Sequence, residues 1–195
     1  MSTSRIKLLT EFAGPAFAIG GVATLGAGVL AAIAGQPTGW AVITALALGV
    51  PIALFGAGYA VLIATGKVPV GVFTPAAAFW AVGFPLSRLC QESVTELLFT
   101  GSLGLPQGPL WGFLVYQALL SMGFAIGYLW LHEQLGRYWW PRVRDHNPYA
   151  SRSVEIHTQS AMAIRQRKEV TSQARQRKRQ RAAQAREARA AARRT

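Results

Sequence analysis

Four long stretches of this sequence are almost free of charge, and nothing else in it constrains the fold as strongly. They run from about Phe12 to Ala34, Trp40 to Thr65, Val68 to Leu89 and Leu110 to Leu131. The first three carry no internal charge before Arg88, and the fourth carries none before His132. A helix crosses a bilayer with roughly 20 mostly apolar residues. With no water in the hydrocarbon, each backbone group must bond within its own segment, which favours helices. Alternating strands of about ten residues, the mark of a membrane β-barrel, are absent. The sequence therefore predicts an all-α polytopic membrane protein: four transmembrane helices within residues 1–136 and a basic tail, helical or disordered, over 137–195.

Charge divides the chain at the same place. Of 195 residues, 20 are Lys or Arg and 8 are Asp or Glu, giving a formal net charge of +12. Residues 1–136 hold four bases and four acids, so the whole excess sits on the last 59 residues. Only 14% of the chain is charged, against about 25% in soluble domains. An ordinary soluble enzyme is excluded. So is a disulfide scaffold, because Cys90 has no second cysteine to pair with.

The first apolar run follows Arg5 and Lys7 and ends in Ala32-Ile33-Ala34, which resembles a signal-peptidase site. It is longer than the usual apolar core of about 7–15 residues, so a retained helix is expected. Basic residues also set the orientation. Arg5, Lys7, Lys67 and the tail lie on one side, while the Gly35–Gly39 loop and residues 91–109 contain no Lys or Arg. The positive-inside rule places both termini in the cytoplasm of a cell (plasma or inner) membrane. Trp40 and Trp111 then fall at the outer interface, and Tyr138, Trp139 and Trp140 at the inner one.

Small residues that permit close helix approach are the main packing device in lipid. Ala16, Gly20, Thr24, Gly28 and Ala32 form one stripe, Ala45, Gly49 and Ala53 a second, and Gly123 and Gly127 a GxxxG pair. Contacts among this chain's own helices are the simpler expectation, and a face for a partner helix is the other. Pro51, Pro75 and Pro85 should each remove a backbone donor and kink its helix.

Arg88, Glu92 and Glu96 recur every four residues and would share one helix face. Leu86, Leu89, Val94, Leu97 and Leu98 lie around the other side, giving an amphipathic interfacial segment over about 89–99. That polar face is either a solvated surface or a candidate ion, proton or ligand site. His132 has no second ligand at matching depth and reads as interfacial rather than as a metal or haem ligand. Cys90 reads as a packing thiol. Asp145 is the sole aspartate, and no GxSxG, HExxH, P-loop or CxxC occurs. Catalysis, cofactor and metal are therefore not expected.

After Val170 the tail has no large aliphatic or aromatic residue. Its Arg175, Arg177, Lys178, Arg179 and Arg181 would meet anionic headgroups on the cytoplasmic side at about 1 kcal/mol per base. An acidic protein would be met in the same way. Nucleic acid is the weaker partner, since no aromatic is present to stack on bases. In layout the chain is similar to small accessory subunits of bacterial energy-transducing membrane complexes, and also to pore-forming phage lysis proteins with basic ends. The resemblance is confined to layout and implies no site residues. The sequence thus points first to an accessory or structural membrane subunit packed against a larger complex. A small transporter or channel using Arg88, Glu92 and Glu96, and a holin-like pore, are the alternatives.

Overall fold

The computed structural model describes residues 3–106 and 108–192. Over these residues the chain is all-helical, with α1 (Thr3–Phe12), α2 (Gly14–Ile33), α3 (Thr38–Ala64), α4 (Phe73–Thr100), α5 (Leu110–Val143) and α6 (Pro148–Ala192). It divides into two compact units, residues 1–154 and 155–195. The first contains α1 to α5 and the opening turns of α6.

Three helices, α2, α3 and α5, are long and apolar enough to cross a membrane. At 28 residues α4 has the length, but Arg88, Glu92, Glu96, Pro75 and Pro85 interrupt its apolar sequence, and it is not among the three. Its start also differs from expectation. Residues 68–72 are not helical, with a turn at Val70 and Gly71, and the helix opens at Phe73 rather than Val68. Pro69 and the left-handed Gly71 (φ +73°) make a helical start there unfavourable. At its far end α4 runs unbroken to Thr100, so the amphipathic segment is its last turns. Pro75 lies in the first turn of α4, where no helical donor is missing. Pro51 and Pro85 do lie inside helices.

The first apolar run is not one helix from Phe12. Pro15 has no N–H for the carbonyl of Glu11, and the Ala16 N–H turns instead to Ala13 O at 2.9 Å. The chain breaks at Ala13, separating a short α1 from α2. Leu9 and Phe12 of α1 are buried, while Arg5 and Lys7 are exposed.

The α2–α3 contact is built from small residues paired antiparallel. A Cβ at Gly20 would lie 2.8 Å from Ala53 Cα, one at Gly49 would lie 2.7 Å from Thr24 Cβ, and one at Gly28 would lie 3.3 Å from Ala45 Cβ. Thr24 fits because its hydroxyl donates to Gly20 O at 2.9 Å, leaving no unpaired donor in the seam. Gly20, Thr24, Gly28 and Gly49 thus pack within the chain. Gly123 and Gly127 do not: both are exposed, with no atom within 4 Å of an added Cβ.

Candidate functional site: an aromatic column, a polar clasp and an ion-paired helix end

The interior of the bundle is organised by one face of α5. Phe124, Tyr128, His132, Gly136 and Trp140 recur every four residues, which stacks them along one side of the helix. Ring centroids lie 6.2 Å apart for Phe124–Tyr128, 5.6 Å for Tyr128–His132 and 5.4 Å for His132–Trp140. Gly136 permits the last contact, because a Cβ there would lie 2.6 Å from Trp140 Cη2. Trp140 continues the column onto α1 by stacking on Phe12 at 5.2 Å and 4°. From the neighbouring helices, Trp80 packs on Tyr128 at 4.6 Å and Tyr59 on His132 at 6.4 Å.

His132 is fully buried among these rings. That corrects the expectation of an interfacial histidine: its register with Tyr128 and Trp140 turns it into the bundle. Trp140, expected in an interfacial belt, is likewise fully buried, whereas Tyr138 remains 69% exposed. The Tyr128 hydroxyl donates to Gly56 O at 3.2 Å. The Tyr59 hydroxyl and the Trp80 indole N–H are buried with no hydrogen-bond partner among the described residues. Glu133 comes close to Gly71 in the α3–α4 turn.

The same end of the bundle holds a clasp that joins the two ends of the first unit. The α1–α2 break leaves two carbonyls outside the helical ladder, and α5 supplies both donors. Trp139 Nε1 donates to Glu11 O at 2.7 Å, and Trp140 Nε1 to Phe12 O at 3.2 Å. Beside them Asn147 is fully buried. Its Oδ1 caps α6 by accepting from the N–H groups of Tyr149 (3.1 Å) and Ala150 (3.3 Å). Its Nδ2 donates to Leu8 O at 2.8 Å and Glu11 Oε2 at 3.0 Å. His146 Nε2 lies 2.7 Å from Glu11 Oε1. These bonds, from His146 first and Asn147 second, hold the Glu11 carboxyl below the ordinary carboxylate range. Sequence reasoning did not single out Glu11, Asn147 or Gly136. The readable signals were Asn147-Pro148, a helix-start pair, and Pro15 four residues after Glu11.

At the opposite end, two of the three expected polar residues meet. Arg88 Nη2 is 2.7 Å from Glu92 Oε1, with the side chains 26% and 41% exposed. Arg88 also bonds to Gln91, whose Nε2 donates to Thr44 O on α3 at 3.3 Å. Glu96 stands apart, exposed and packed against Gly104 in the following loop. The reason is register: α4 turns Ala76, Trp80, Gly83, Ser87 and Gln91 inward, so the line of Arg88, Glu92 and Glu96 drifts outward along the helix. Cys90 also lies off the buried face and is exposed, which corrects the expectation of a packing thiol. Nearby, Trp40 stacks on Phe99 at 4.0 Å.

In the second unit, every described side chain from Thr158 to Lys178 is exposed, including Arg175, Arg177 and Lys178. The side chains of Arg179 and Arg181 lie outside the described ones. Comparisons with family models, curated proteins and solved structures return no match to this chain.

Proposed function

We propose that this chain is a non-catalytic integral membrane subunit that packs against a larger membrane complex. In this reading α4 is the fourth span, both termini face the cytoplasm of a cell membrane, and the tail meets an anionic lipid surface or an acidic partner. The parity of four spans with basic residues at both ends supports that arrangement.

The observation that carries the reading is the unequal use of the small-residue faces. Gly20, Gly28 and Gly49 are consumed by the α2–α3 seam, whereas Gly123 and Gly127 of α5 lie open beside exposed Leu119, Leu120, Ile126 and Trp130, and Gly21 and Gly26 of α2 are open as well. Only 22% of the apolar window of α5, and the same share of that of α2, is buried within the chain, against 39% for α3. An open small-residue face among large apolar side chains suits a second helix, which gains contact there that lipid chains supply less closely.

The Arg88–Glu92 pair favours this reading over a transport site. Its hydrogen bonds run through Gln91 to the α3 backbone, the geometry of a brace between helices. Purification from native membranes in mild detergent should recover partner proteins in fixed ratio. A clean monomer or homo-oligomer would overturn the proposal.

A further inference from the structure

The bases of α6 in the second unit are not spread evenly around the helix. Lys168, Thr171, Arg175 and Lys178 follow one another in steps of three, four and three residues. Such alternation keeps a line of residues on one side of a helix with 3.6 residues per turn. Ile164, Arg167 and Ser172 flank that line. Ile164, Arg167, Lys168, Thr171, Ser172 and Arg175 together line one open groove along this side. Both hydroxyls donate to their own helix, Thr171 to Arg167 O and Ser172 to Glu169 O, each at 2.8 Å. Their lone pairs do not compete with the bases for an anion as a carboxylate would.

The other side has a different composition. Gln159, Gln166 and Gln173 recur every seven residues, as do Glu155, Glu169 and Gln176 if the step from 155 is doubled. Among the described side chains of this helix beyond Glu155, Arg177 lies on that side and Arg165 at its edge. Beyond them the sequence continues the basic line in the same register at Arg179, Arg186 and Arg189, with Arg181 off it. The helix is therefore amphipathic in charge rather than in hydropathy, with Gln and Glu opposite Lys and Arg.

We propose that this basic face is a docking surface for an anionic bilayer, with the Gln/Glu face turned to the cytosol. It rests on the reading of the chain as an integral membrane protein and names the partner of its tail. Charge complementarity and flatness decide the occupant. A bilayer presents its phosphates in a plane, which one face of a helix can meet along about 17 Å from Arg167 to Lys178. A nucleic acid is the weaker occupant, since residues 158–178 hold no aromatic side chain to stack on bases. With no apolar stripe to insert, the attachment is electrostatic and salt-sensitive.

The test uses the full chain in proteoliposomes, in a Cys90→Ser background. An environment-sensitive dye is placed on the basic face (Thr171→Cys) or on the opposite face (Gln173→Cys). In vesicles containing phosphatidylglycerol at low salt, the dye at 171 should be shielded from acrylamide at least about threefold more than the dye at 173. The difference should vanish in phosphatidylcholine vesicles and at about 0.5 M salt. Interchanging Gln166 with Arg167, Lys168 with Glu169, and Arg175 with Gln176 leaves the net charge unaltered and should abolish the shielding. Equal shielding at both positions, shielding that survives the interchange, or shielding that needs added RNA or a protein would each overturn the proposal. A chain that fails to float with the vesicles contradicts the membrane reading itself, so the two failures are distinguishable.

Discussion

Trp139 donates its indole N–H to the carbonyl oxygen of Glu11 at 2.7 Å, across 128 residues of sequence. The acceptor exists because Pro15, four residues after Glu11, cannot supply the helical N–H that would otherwise occupy it. A helix break at one end of the chain thus creates a hydrogen-bond site for the last turn of α5. Trp140 uses the next carbonyl, that of Phe12, at 3.2 Å.

The two indoles should differ in consequence. Trp140 is fully buried and Trp139 is 37% exposed. Trp140→Phe leaves the Phe12 carbonyl buried and unpaired, a loss of about 1–3 kcal/mol. Trp139→Phe should lose under about 1 kcal/mol, because water can reach the vacated carbonyl. Equilibrium unfolding in mixed micelles would rank them, and equal losses would refute this account of the break.

Much of this arrangement was legible and some was not, for physical reasons. The apolar runs fixed the identity of α2, α3 and α5 because hydropathy sums over many residues. The Gly20–Ala53 and Thr24–Gly49 contacts follow a four-residue spacing visible in sequence. α1 was hidden because it is short and polar, and its docking depends on two indoles far away in sequence. His132 read as interfacial because depth was counted from the end of an apolar run, whereas α5 continues to Val143. Burial of Asn147 follows from where α6 starts relative to α1, which no local pattern records.

The aromatic column separates two tyrosines that look alike in sequence. The Tyr128 hydroxyl donates to Gly56 O, while the Tyr59 hydroxyl is buried without a hydrogen-bond partner among the described residues. Tyr128→Phe should destabilise by about 1 kcal/mol, and Tyr59→Phe should be neutral or stabilising. Thermal unfolding of the two variants in one detergent would decide it; destabilisation of both by similar amounts would show that Tyr59 has a partner.

Glycine substitutions test which small-residue face is used within the chain. Gly49→Ala drives a methyl into Thr24 and should lose about 1–3 kcal/mol. Gly123→Ala meets nothing within 4 Å and should leave the isolated chain as stable or up to about 1 kcal/mol more stable, since alanine is the better helix former. The same Gly123→Ala chain should co-purify with less partner from native membranes. Unaltered partner recovery would remove α5 from the proposed contact.

Glu11 gives the clasp a defined pH dependence. Its carboxyl, hydrogen-bonded to His146 and Asn147, titrates below the ordinary value of 4.5 in the folded chain. The unfolded chain, at the ordinary value, therefore binds its proton first as the pH falls. The stabilisation is fully present above about pH 4.5–5 and is lost as the pH falls through the folded value. Glu11→Gln, which removes the charge but keeps a similar shape, should lower the unfolding temperature at pH 6. It should also flatten the decline between about pH 5 and 3 relative to the parent chain. His146→Ala should do the same in part, since the bond from Asn147 remains. Parallel pH curves for Glu11→Gln and the parent would mean that this carboxylate does not fasten α1 to the start of α6.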